Sequence, residues 1–432
     1  MSARGARVAA VAIVLCAAAI FESSSARASQ LVSWTLTSRY VDPAKAQFNA
    51  PPPGVPARAP ALRVDVLLPD GYNGIRAFPL LMLLHGHGDA FDYWVNPQKG
   101  DLLDIAPHFP GIVVMPDAAQ GWYTDWWDGG ARGTDGRAWE RYFLDELMPM
   151  VMSRLRILPG RSNHAIAGLS MGGEGAIYLA EQLPGYFGAA ASFSGVLSLQ
   201  RPEWPIGFGT QGQQFQQVFG DPQAQRFYVT GHNPTALTDN LRYTRLFVRA
   251  GDGLALPVFP NELTNLAGAV SEVELAAHAI DFVTEANARG EDVTYQPTTG
   301  VHDWPYWRLA LQAALQWGFF KPVTQAPPSW TYATVRKSGR AWDLSFSFAR
   351  PPDTVETFVR QGDRLSATGS GVVTITGDGR PPFTAAVPFS RLLPAPLSRS
   401  TGRHRRRRAK RCVRVVGRGR HAHRRTVACH RH

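Results

Sequence analysis

The apolar run His164-Ala165-Ile166-Ala167 leads without a spacer into Gly168-Leu169-Ser170-Met171-Gly172-Gly173, and a helical pattern follows at once. A serine set among glycines where a strand turns into a helix sits in a tight, strained backbone. Small neighbours are needed there, and the first N–H groups of the helix are left facing any anion that forms beside the serine. Such a junction requires a strand inside a sheet with a helix lying across it, and the chain supplies both. Short apolar runs at 64–68, 80–84, 112–115, 164–167, 189–193, 245–249 and 293–296 alternate with helical patterns at 138–155, 174–183, 271–288 and 307–320. The inner runs, Leu-Leu-Met-Leu-Leu and Ile-Val-Val-Met, are apolar on both faces, which predicts an α/β fold with a mostly parallel sheet covered by helices on either side.

A serine hydroxyl is a weak nucleophile, so the chemistry needs a base, an acid to orient the base, and donors for an oxyanion. His302 follows the last predicted strand and precedes Trp304-Pro305-Tyr306-Trp307, which opens the last long helix. That gives the chain order serine, acid, histidine expected of an α/β-hydrolase fold. His232 and His278 are weaker candidates, in a polar loop and on a helix. Asp252, which follows the 245–249 strand through Ala250-Gly251, stands in the usual position of the acid, while Glu272 or Glu274 could reach His302 from the next helix. Pattern alone favours Asp252. One oxyanion donor is the amide of Met171, directly after the serine, and the other is the amide of His87 in His85-Gly86-His87-Gly88-Asp89.

Taken together, Leu83-Leu84-His85-Gly86, Val114-Met115-Pro116-Asp117, the aromatic stretch Trp122-Tyr123-Thr124-Asp125-Trp126-Trp127, Gly168-Leu169-Ser170-Met171, Ser194-Gly195 and His302-Asp303-Trp304-Pro305-Tyr306-Trp307 resemble one esterase family. It includes S-formylglutathione hydrolase, feruloyl esterases and the antigen 85 mycolyltransferases, and the resemblance, which runs from about Leu62 to Lys321, is nearest the last group. The mycolyltransferases use a Glu at the start of the helix before the last strand and carry Asn at the position of Asp252. Counting back from Phe282 places that Glu at Glu272, so the resemblance moves the expected acid to Glu272, and it implies the His87 and Met171 amides as the oxyanion hole. The chain also departs from the mycolyltransferases: it lacks their acidic residue at His85 and their arginine at Gly88, which hold trehalose, and Gly172-Gly173 resembles the esterase branch.

The two ends differ from the body. Arg4 and Arg7 precede a fourteen-residue low-polarity run, then Ser23-Ser24-Ser25 and Ala26-Arg27-Ala28, which predicts a signal peptide over 1–28; the run is short of the roughly 20 residues that span a bilayer. Residues 398–432 hold fourteen Lys or Arg and no acid, including Arg405-Arg406-Arg407-Arg408, and read as a disordered basic tail. With net +2 in 1–28, the overall +11 leaves −5 for 29–397, so the body is mildly acidic and no specific nucleic acid is expected as partner. The tail suits an anionic wall polymer, and Cys412 and Cys429 within it could pair. Between the predicted 29–325 hydrolase domain and the tail, residues 326–397 show strand patterns, with Trp342, Leu344, Phe346 and Phe348 on one face, and predict a small antiparallel β module.

These readings predict a protein outside the cell, secreted or wall-associated, with no transmembrane segment in its mature chain. It is expected to be a serine esterase acting on a small-molecule or glycolipid ester through Ser170, His302 and Glu272, with no metal and no cofactor. The alternatives are acyl transfer to a sugar or glycan hydroxyl, and a non-catalytic wall-binding protein on a hydrolase fold.

Overall fold

Strands β3 (Leu80–Leu84), β4 (Ile112–Pro116), β5 (His164–Leu169) and β6 (Ala189–Phe193) are buried at every residue, as their two-faced apolar sequences require. In the computed structural model, which describes residues 29–48, 59–129, 135–209 and 212–396, they form the centre of an eight-stranded sheet. β1 (Gln30–Leu36) and β2 (Leu62–Leu68) run antiparallel at one side, and β7 (Arg245–Gly251) and β8 (Val293–Thr298) extend the parallel part at the other, in the order β1-β2-β4-β3-β5-β6-β7-β8. Alternation along β3 divides the core. Leu80, Met82 and Leu84 face one layer with Ile177 and Phe282, whereas Leu81 and Leu83 face the other with Trp307 and Leu311.

The covering helices are Met171–Gln182, Leu266–Arg289 and Trp304–Trp317, with Trp139–Arg141, a π-helical stretch Tyr142–Leu147 and Met148–Arg154 where sequence predicts one unbroken helix. Pro149, just past that stretch, has no N–H to return to the preceding turn, so the regular ladder is interrupted there. No helix among the described residues is long and apolar enough to cross a membrane. The predicted signal peptide, the basic tail and all three cysteines lie outside the described residues.

Beyond the Trp304–Trp317 helix, eight short strands make two four-stranded antiparallel sheets. β10 (Ser338–Ala341), β11 (Leu344–Phe348), β14 (Val372–Gly377) and β15 (Arg380–Ala386) form one; β16 (Phe389–Leu392), β13 (Arg364–Thr368), β12 (Glu356–Gln361) and β9 (Ser329–Thr334) form the other. Leu344, Phe346 and Phe348 fill the space between them with Tyr332, Phe358 and Ile375. Trp342 does not continue that strand face. It sits in the β10–β11 turn at φ +58° and packs outward against Tyr243, with ring centroids 5.6 Å apart.

Arg161 ties the two parts together. Only 2% exposed, its guanidinium donates to the carbonyls of Phe187 (2.9 Å), Tyr243 (3.0 Å) and Thr324 (2.5 Å) and to Thr244 Oγ1 (2.8 Å), and it lies 4.5 Å from the Trp342 ring centre. Arg161→Ala strips donors from several acceptors at once, and the expected loss of unfolding free energy is about 3 kcal/mol. A urea titration measures it; a loss below about 1 kcal/mol would mean that water replaces the guanidinium at little cost.

Candidate active site

Ser170 stands at φ +51°, ψ −121°, between the last residue of β5 and the first of the Met171–Gln182 helix. Few non-glycine residues hold a positive φ, and here it turns the serine side chain out of the sheet at the head of the helix. The amide of Ser170 donates to the Phe193 carbonyl at the end of β6 (2.9 Å), and its carbonyl accepts from Gly173 (2.9 Å). The flanking glycines are steric necessities. A Cβ on Gly172 would lie 2.4 Å from the His85 carbonyl oxygen, and one on Gly168 would lie 2.1 Å from that of Gly172. Backbone cannot retreat as a flexible side chain can, so Gly172→Ala is expected to lower stability by about 2–3 kcal/mol, measured by chemical denaturation.

His302 arrives from the loop after β8, its amide anchored to the Gly268 carbonyl at 3.0 Å and its ring edge-on to Trp307 with centroids 4.8 Å apart. Nε2 is 2.9 Å from Ser170 Oγ, and Nδ1 is 2.8 Å from Glu272 Oε2. A carboxylate can only accept, so it assigns the ring hydrogen to Nδ1 and leaves Nε2 free to accept from the serine. Glu272, 2% exposed, is itself held: Oε1 takes the Ser194 hydroxyl (2.6 Å) and the Gly251 amide (2.5 Å). These donors come from just beyond β6 and from the end of β7, so adjacent strands of the sheet position the carboxylate. Ser170, His302 and Glu272 are thus one hydrogen-bonded chain assembled from three separate parts of the sequence.

Asp252 is turned elsewhere. Its oxygens accept from the amides of Leu254 (2.9 Å) and Gly300 (3.2 Å) and from Thr299 Oγ1 (3.2 Å), which fastens the loop leading to His302. Glu274 is two residues past Glu272, about 200° around the helix, and lies beside Gly207; burial and the neighbouring Glu203 raise its carboxyl above the usual range. His278 accepts the Ser198 amide at Nδ1 (3.1 Å) and His232 donates to the Tyr228 carbonyl (2.8 Å).

The loop after β3 abuts the serine: a Cβ on Gly86 would be 3.3 Å from that of Ser170. Among the described residues, neither the His87 nor the Met171 amide donates to a protein acceptor, so both are available to an oxyanion. The His87 ring rests near Trp122, and burial lowers its imidazole to about 4, which keeps it neutral at pH 7. Sequence reasoning did not single out Asp89. Its Oδ2 accepts the Gly86 amide (3.2 Å) and its Oδ1 the Trp304 indole (3.1 Å), so it joins the loop of His87 to the segment of His302, and burial raises its carboxyl to about 6. The visible signal was an acid directly after the glycine-rich loop.

The aromatic stretch divides its duties. Trp122, Tyr123 and Trp126 are buried; Tyr123 donates to the His85 carbonyl (2.9 Å) and Trp122 to Gln213 (2.7 Å), which supports the loop of His87 from behind. Trp127 is half-buried and lies apart, against Tyr228 and Phe227.

The sheet order, with a serine at the strand-to-helix turn of β5, defines the class as an α/β-hydrolase. Within it the chain belongs to the esterase family described as "Putative esterase", which matches residues 60–317. Esterase Rv1288 of Mycobacterium tuberculosis is 33% identical over 203 residues, 44% of this chain but 42% of that protein, so the chain spans less than half of that relative's length. The diacylglycerol acyltransferase/mycolyltransferase Ag85A of Mycobacterium leprae is 31% identical over 279 residues, covering 59% of this chain and 80% of that protein. Among solved structures, a ferulic acid esterase matches at TM-score 0.45 and 22% identity, over 68% of this chain and 98% of the other. These relatives are named as an esterase and as a diacylglycerol acyltransferase/mycolyltransferase.

Proposed function

We propose that the chain is an exported serine esterase in which Ser170 is the nucleophile, His302 the general base and acid, and Glu272 the group that orients His302. The observation that carries this reading is the unbroken hydrogen-bonded path from Ser170 Oγ through His302 to Glu272. Ser170 Oγ bonds to the ester carbonyl carbon as its proton passes to His302 Nε2, and the carbonyl oxygen becomes an oxyanion facing the Met171 and His87 amides. Collapse breaks the ester C–O bond, and the alcohol leaves with the proton from His302. Water then gives a proton to the same nitrogen and attacks the acyl-enzyme; the second collapse returns the proton to Ser170 and releases the acid. Glu272 stays ionised throughout and stabilises the imidazolium that forms twice per turnover.

A second reading has its own support, since a sugar or glycan hydroxyl in place of water gives acyl transfer, the activity named for the Ag85A relative. Export rests on the sequence of residues 1–28, and the proposed tether to anionic wall polymers on residues 398–432. The test is a fluorophosphonate probe on the chain lacking residues 1–28. A covalent adduct mapped to Ser170 by peptide mass spectrometry is expected, and absence of both adduct and ester turnover would leave the wall-binding alternative. Product analysis with added neutral sugar then separates free acid, expected of the esterase, from sugar ester.

A further inference from the structure

Trp127, set apart from the proposed catalytic residues, stands where two surface depressions meet. One, about 470 Å³, is lined by Trp127, Asp128, Gly129, Gln216 and Gln217. The other, about 450 Å³, lies between the hydrolase body and the β module, whose Arg336, Lys337 and Pro351 help to line it. Both are of the size that holds small molecules, and neither includes Ser170, His302, Glu272 or His87.

We propose that this double depression is a second, non-catalytic binding site for a neutral oligosaccharide. The indole is positioned in advance: its backbone amide donates to the Val218 carbonyl (2.8 Å), that of Asp128 to the Gln217 carbonyl (2.9 Å), and its ring packs 5.1 Å from that of Tyr228. A pre-set aromatic side chain that lines both depressions suits the apolar C–H face of a sugar ring. Planar polar groups surround it. Gln216 and Gln217 offer side-chain amides with no protein partner among the described residues, and carboxylates and guanidiniums line the other depression. The two guanidiniums are internally matched, and Lys337 adds an exposed ammonium. Arg141 lies 2.5 Å from Asp125, and Arg336 lies 3.0 Å from Glu140 and 3.5 Å from Asp145. Guanidiniums already neutralised in this way give an ionic ligand little net attraction, while the carboxylate oxygens suit hydroxyls. The site also gives the β module a purpose, since that module supplies one wall of it and lies beyond the family match, which ends at residue 317.

The experiment is calorimetric titration of the full chain with unesterified cellotetraose, mannotetraose and galactotetraose. Their neutrality removes the basic tail from the readout, and binding without turnover makes the result independent of the proposed ester chemistry. At least one should bind, Trp127→Ala should weaken it about tenfold or more, and Gln216→Ala with Gln217→Ala should weaken it several-fold. Thermal melts of both variants should coincide with that of the parent, which shows that they fold, and p-nitrophenyl acetate turnover should be unchanged in both. No binding by any of the three sugars, binding that neither variant weakens, or binding of hexagalacturonate alone would each overturn the proposal.

Discussion

Ser170→Ala is expected to lower kcat/KM for p-nitrophenyl acetate by about 10⁴-fold or more while leaving the protein folded. The magnitude follows from what the variant lacks. Without Oγ there is no acyl-enzyme, and catalysis falls to whatever the oxyanion donors and substrate binding give to direct attack by water. The fold should persist because the Ser170 contacts that shape the turn are made by backbone: its amide to Phe193, and its carbonyl to Gly173 and Glu174. Alanine accepts a positive φ no more readily than serine, so the turn's strain is retained and the variant isolates the hydroxyl. Thermal melts that coincide, beside turnover that disappears, are the expected pair of results. Residual turnover within about tenfold of the parent would remove Ser170 from the proposed role.

Sequence alone carried the interior of the sheet because burial on both faces forces a composition that little else produces: β3 to β6 are continuous apolar runs, and all four were legible to within two residues. β1 was not. It pairs only with β2, at the sheet's margin; Leu31 shares its exposed face with Ser33 and Thr35, and Gln30 opens its inner face, so the alternation is blurred. In the β module, strands with aromatic cores such as β11 were legible, whereas β15 and β16, with few buried residues, were missed. Ser170 announced itself through local sterics, since its glycines are demanded by contacts within a few ångströms. The role of Trp127 was not legible, for its neighbour Trp126 shares its chemistry and only the tertiary fold sends one inward and the other to a cleft.

The choice between Asp252 and Glu272 marks the limit of pattern. Both lie between serine and histidine; residue pattern favoured Asp252 and the family resemblance Glu272, and in three dimensions Asp252 ties down the 298–300 loop while Glu272 meets His302. The consequence is a large and asymmetric expected effect. In Glu272→Gln, the Ser194 hydroxyl and the Gly251 amide still need an acceptor, so the new carboxamide oxygen should remain at the Oε1 position and its NH₂ should face His302 Nδ1. An NH₂ donates, which forces Nδ1 to accept and moves the ring hydrogen to Nε2, facing Ser170. A histidine in that tautomer cannot take the serine proton, and an imidazolium beside a neutral amide loses its counter-charge. Together these should lower kcat by about 10³- to 10⁴-fold with little change in stability. Asp252→Asn keeps an oxygen for the Leu254 and Gly300 amides and leaves the His302 tautomer alone, so its expected cost is under about tenfold. Steady-state kinetics on the two variants decide the matter. Comparable losses, or the larger loss at Asp252, would transfer the orienting role to Asp252 and require the 298–302 loop to rearrange when substrate binds.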